Sequence, residues 1–186
     1  MTQFRGQHRI ETARLPGWDY RHAGWYFITI CTKDRETFFG DVVDDAMRLS
    51  PLGEVAQQFW LEIPAHIPPV TIDVFVVMPN HIHGILAIVE TLHATSLQAS
   101  STTSLQPQAL SAMSPKAGSL GAVIRSYKAA VTNWAKQNTF DDFAWQPRYW
   151  DHVIRNERSL RAIRQYICDN PLRWALDCEN PIGPQM

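Results

Sequence analysis

The clearest hydrophobic pattern in the chain is a pair of apolar runs rich in β-branched residues, VTIDVFVVM and HIHGILAIV, on either side of Pro79 and Asn80. Such runs around a turn-forming pair predict a β-hairpin over residues 70–78 and 81–89. Residues 24–32, GWYFITICT, read as a first strand, and the apolar stretch after Gln146 and Pro147, near residues 148–154, as a last one. Helical spacing appears elsewhere. Ser50 can cap a helix that has Pro51 at its first position and runs to Pro64. Leu120, Ile124, Tyr127, Val131 and Trp134 recur at steps of four and three, the stripe of a second helix. Asn156 can cap a third helix that carries Leu160, Ile163 and Ile167 on its buried side and ends near Asn170, because Pro171 disfavours helical backbone in the residue before it. Two segments lack such patterning: residues 1–23 read as a basic arm, and residues 90–118, rich in Ser, Thr, Ala and Gln, read as a mobile insert.

Composition narrows the class. With 186 residues and 45% hydrophobic content, the chain is expected to form a single domain over 1–186. No apolar run is long enough to span a membrane and the first residues carry no signal-peptide core, so a cytoplasmic location is expected. Three cysteines without paired spacing predict neither a disulfide framework nor a zinc knuckle. The net charge of −1 argues against nonspecific coating of nucleic acid. The distribution is less neutral. Six arginines, Arg148, Arg155, Arg158, Arg161, Arg164 and Arg173, face three acids in the same stretch, and Arg5, Arg9, Arg14 and Arg21 form a second group. Arginine suits phosphate, although a solvated helix face would look the same.

Candidate chemistry begins at the hairpin. His81 and His83 stand at i and i+2 on a strand, so both project from one surface-facing side and can converge on an ion, although such a pair can also be a simple polar face. The third ligand would decide which metal. Tyr166 lies about 90° from the centre of its helix's apolar stripe, free to face a cleft, and Asn170 follows one turn later on the same flank. Tyr127 sits within a stripe and is expected to pack. Trp145, Tyr149, Trp150 and Trp174, interleaved with the late arginines, suit stacking of unpaired bases or a place in the core.

Together MPNHIHGI, WQPRYWDHVIRN and IRQYICDNPLRW resemble the REP-associated tyrosine transposases, within the insertion-sequence 200-like family of single-strand transposases with a His-hydrophobic-His motif. The resemblance spans residues 24–176 apart from the insert. It implies an α+β, ferredoxin-like antiparallel sheet with helices packed on one face, of HUH-endonuclease type. It further implies that His81 and His83 bind a divalent metal ion, Mg²⁺ or Mn²⁺, with Asn170 completing the site, and that Tyr166 is the nucleophile. Arg148, Arg155, Arg158, Arg164, Trp150 and His152 are then candidate DNA-binding residues. His152 can instead assist the metal or simply pack in its strand. The implied activity is cleavage and strand transfer of single-stranded DNA through a 5′-phosphotyrosine, at hairpins formed by repetitive palindromes, by a monomer or homodimer. Two alternatives stand beside it: a DNA-binding protein derived from a transposase that no longer cleaves, and a replication-initiator or relaxase nuclease.

Overall fold

Strand β1 (Gly24–Cys31), a stretch of aromatic and β-branched residues, lies inside the sheet and pairs antiparallel with two neighbours. The computed structural model describes residues 3–4, 7–8, 17–89, 118–177 and 180. Most of the N-terminal arm, with Arg5, Arg9 and Arg14, and almost all of the insert lie outside them. Next come a small hairpin, β2 (Gly40–Val43) and β3 (Ala46–Leu49), helix α1 (Pro51–His66), and the central hairpin β4 (Val70–Val77) and β5 (His81–Ile88). Helix α2 (Leu120–Gln137), strand β6 (Trp150–Ile154) and helix α3 (Glu157–Cys168) complete the order, and a 3₁₀ turn (Pro171–Leu176) ends it. Among the described residues, four strands form one antiparallel sheet in the order β4-β5-β1-β6. The fold is α+β, as expected.

Local signals place most of these elements. Ser50 Oγ accepts from Gly53 N and Asn156 Oδ1 accepts from Ser159 N, so both expected N-caps form. Helix α1 runs two residues past Pro64, to His66. A proline this close to a helix end removes one intrahelical bond and leaves the last turn intact. The β2–β3 hairpin has no counterpart in the sequence reading. Its turn is made by Asp44 and Asp45, both at positive φ (52° and 59°), a conformation in which aspartate is tolerated.

Strand alternation sorts the core into two layers. Tyr26, Ile28 and Ile30 of β1 and Ile82 and Leu86 of β5 face one side, where α1 and α2 pack through Ala56, Trp60, Ile124, Tyr127 and Val131. This is the expected helical layer. Phe27 and Ile85 face the opposite side, where α3 lays Leu160 and Ile167 against them. A bulge in β4 serves that second contact. Ile72 pairs with Leu86 but Phe75 pairs with Gly84, so Asp73 and Val74 together oppose Ile85. Val74 packs under α3, while Asp73 accepts a hydrogen bond from Arg164 Nε at 2.7 Å.

Tyr127 is buried, and its hydroxyl donates to Ala56 O at 2.9 Å, which is the packing role expected of it. Gly84 lies between His83 and Ile85, where a Cβ would come within 2.4 Å of the Trp60 ring. Overpacking at such a contact costs roughly 1–3 kcal/mol. Gly84→Ala is therefore expected to lower the unfolding free energy by an amount in that range, read from a lower urea midpoint at an unchanged slope, and an unchanged midpoint would show that Trp60 can move aside.

Candidate active site

Strand β5 begins at the turn after Pro79, and its odd positions point toward α3. His81 and His83 thus share one side, but that side is not open to solvent: His81 is fully buried and His83 is 4% exposed. The expectation of surface-facing histidines is corrected here. Strands β4 and β1 flank β5, and α3 with the following 3₁₀ turn covers its histidine side. The two rings lie 4.4 Å apart, centroid to centroid.

Each ring is held by its Nδ1. Asn80 Nδ2 donates to Arg35 O at 2.9 Å, which fixes the amide orientation and leaves Asn80 Oδ1 as acceptor for His81 Nδ1–H, also at 2.9 Å. His81 Nε2 then carries a lone pair. That atom is buried without a hydrogen-bond partner of ordinary geometry, as is Asn170 Oδ1. Asn170 lies beside His81 and favours its protonated form, but desolvation outweighs this and lowers the imidazole to about 3. His83 Nδ1 lies 2.8 Å from Thr29 Oγ1, its register partner on β1. Its Nε2 lies 3.1 Å from Tyr166 Oη. In the tautomer that leaves Nε2 unprotonated, Nδ1–H donates to Thr29 and the phenol donates to the Nε2 lone pair, the same lone pair that a bound ion would take in its place. Burial also holds His83 well below the usual histidine range, with the charge of neighbouring His81 a secondary cause and Asp177 opposing both.

Asp177 is a residue that the sequence did not single out. The 3₁₀ turn after Pro171 folds back over the histidines, sets Trp174 6.0 Å from the His81 ring, and delivers Asp177 at its end. Ligand atoms of His81, His83 and Asp177 lie within 4.8 Å of one another, so this group can hold a metal ion. Imidazole nitrogens, a carboxylate and the buried amide oxygen of Asn170 suit a divalent first-row ion. No spacing rule ties an acid eleven positions after a tyrosine to a pair of histidines. Thr29 is likewise recognised only through its cross-strand partner.

Tyr166 is 39% exposed, with its ring edge-on to Phe27 at 6.0 Å. Its hydroxyl meets His83, while part of the residue is open to solvent. The expected DNA-binding residues fall into two sets. Arg148, Arg155 and Arg158 are exposed, and Trp150 and His152 lie parallel on the outer strand β6, with rings 6.1 Å apart at 7°. Arg164 is engaged elsewhere, paired with Asp73 and set 5.8 Å over the Trp25 ring. That links the tyrosine helix to the bulge in β4.

Two buried neutral histidines have a stability consequence. A histidine with a depressed folded pKa leaves the folded state binding fewer protons than the unfolded chain below about 6.5, so stability is full above that pH and falls as pH drops toward the folded value near 3. Each group contributes a slope of up to about 1.4 kcal/mol per pH unit. Unfolding free energy should therefore decline between pH 6.5 and 4, and His81→Gln should flatten the decline; equal slopes in both proteins would contradict this account.

No protein-family model matches the chain. An uncharacterized protein of Haemophilus influenzae (strain ATCC 51907 / DSM 11121 / KW20 / Rd) is 39% identical over 175 residues, covering 92% of this chain and 93% of that protein. A solved structure of a REP-associated tyrosine transposase bound to a REP hairpin superposes with a TM-score of 0.55 at 20% identity, covering 88% of this chain and 74% of that one. Among the described residues, no helix is long and apolar enough to cross a membrane. The chain belongs to one family with the Haemophilus influenzae protein, and its fold is that of a REP-associated tyrosine transposase, the family its three motifs resemble.

Proposed function

We propose that the protein is a metal-dependent nuclease and strand-transfer enzyme of the transposase type, acting on single-stranded DNA beside a hairpin. The observation that carries this reading is the 3.1 Å approach of Tyr166 Oη to His83 Nε2, within reach of the three-residue ligand group. A nucleophile and a metal-binding group on one chain are what a covalent phosphoryl transfer needs. The solved structure with this fold is of a protein bound to a REP hairpin, which supports a similar DNA as substrate here.

His81, His83, Asp177 and Asn170 would hold the ion, Mg²⁺ or Mn²⁺, which when bound polarises the scissile phosphate. The chain's own groups do the rest. Thr29 and Asn80 fix the rings, and the buried imidazoles are neutral at pH 7, so no proton competes for their ring nitrogens. Tyr166 gives up its phenol proton to water as its oxygen bonds to phosphorus. The bond from phosphorus to the 3′ oxygen breaks, and that oxygen leaves as a hydroxyl after taking a proton back, so no net proton is consumed. The product is a 5′-phosphotyrosine, and attack by another 3′-hydroxyl reverses the step and joins new strands. Arg148, Arg155 and Arg158 supply exposed positive charge for the backbone.

Incubation with a hairpin oligonucleotide and Mn²⁺ should give a denaturant-resistant adduct that Tyr166→Phe abolishes and Tyr127→Phe retains. A folded wild-type protein that binds the hairpin without forming the adduct would favour a DNA-binding protein that no longer cleaves.

Asp177→Asn and Asn170→Ala should each weaken Mn²⁺ binding roughly tenfold or more in calorimetry, on the scale seen when groups around a metal are lost. Unchanged binding in either variant removes that residue from the ligand set.

A further inference from the structure

Beside the Tyr166 ring a cavity of about 390 Å³ opens toward strand β6. This lies at the small end of the range for ligand clefts, roughly 300–1,000 Å³. Phe27 and Trp150 form aromatic walls, edge-to-face at 5.5 Å, and the polar residues Thr29, Gln146 and Arg148 also line it. Trp150 is 45% exposed, a large apolar surface left uncovered where the strand edge meets the cavity.

The wall that carries Gln146 is braced from three sides. Gln146 N donates to Cys31 O at 2.9 Å, Lys128 Nζ donates to Gln146 O at 2.5 Å, and Trp145 Nε1 donates to Lys128 O at 3.2 Å. The first of these bonds is one half of an isolated antiparallel bridge between Thr32 and Trp145, whose other half is Lys33 N donating to Ala144 O at 2.8 Å. The Gln146 side chain is thus presented from rigid backbone, as a reading residue requires.

Resting on the proposed strand-transfer reading, we infer that this cavity seats the unpaired nucleobase next to the phosphate attacked by Tyr166, with Trp150 as its stacking surface and Gln146 as the residue that discriminates between bases. A flat apolar face suits any base, and stacking on such a ring is worth enough to order one nucleotide. The primary amide of Gln146 offers a donor and an acceptor together, the pair that distinguishes base edges. A phosphate alone would not use the aromatic walls.

The test uses the full chain carrying Tyr166→Phe and a hairpin oligonucleotide with mixed-sequence single-stranded flanks, in which 2-aminopurine is moved one position at a time. Quenching of its fluorescence on binding should peak several-fold at one flanking position and be lost when Trp150→Ala is added. An abasic site at that position should weaken binding about tenfold, and Gln146→Ala should reduce the spread of affinities among the four bases there by a similar factor. Quenching that is uniform along the flanks or indifferent to Trp150, or failure of the oligonucleotide to bind, overturns the inference. An unaltered spread in Gln146→Ala overturns the role given to that residue. Because this readout needs no cleavage, absence of the covalent adduct in the wild-type protein would count against the catalytic reading alone.

Discussion

Strand β5 is buried along its whole length, and the face assignment of its eight residues governs the rest of the molecule. It is hydrogen-bonded to β4 on one edge and β1 on the other, so a slip of one residue would carry Ile82 and Leu86 out of the main core and put imidazoles into it. The register is therefore strongly held. The same alternation that fills the core beneath α1 and α2 turns His81, His83 and Ile85 toward α3. Core packing and ligand placement are two consequences of one strand.

Burial then sets the chemistry. Histidines removed from water are held neutral, and each spends its Nδ1 on a fixed partner, Asn80 or Thr29. Their remaining nitrogens face the space reached by Tyr166, Asn170 and Asp177. Carboxylate and amide oxygens arrive there because the chain reverses after α3, at Pro171, rather than through anything in the strands. The fold gathers the donors from strand, helix and tail, while the sheet supplies the rigidity.

The arginines show why charge counts in a sequence are an incomplete guide. Arg161, Arg164 and Arg173 are each matched with a carboxylate, Glu157, Asp73 and Asp169 respectively. Two of these are one-turn helical pairs of modest strength at the surface. The third is less exposed and joins α3 to the bulged strand, which makes Arg164 a tie between tyrosine helix and sheet. Arg155 and Arg158 are exposed, at the head of α3.

What the sequence determined by itself was whatever depends on neighbours within about four residues. The central hairpin, the stripes of α2 and α3, the caps at Ser50 and Asn156, and the contrast between Tyr127 on its stripe and Tyr166 beside its own are all of this kind, since strand and helix periods are local properties of the backbone. The Asp44-Asp45 turn was equally local, but it lacks the glycine that marks such turns most clearly. Only the tertiary structure decided that the histidines are buried, that Thr29 holds one of them, that Arg164 belongs to Asp73 and that Asp177 joins the ligand group. Those pairings span 54 residues for Thr29 with His83, 83 for His83 with Tyr166 and 91 for Asp73 with Arg164. Contacts at such separations follow from strand order, a bulge and the crossing of a helix over a sheet, and no local periodicity encodes which side chains then meet.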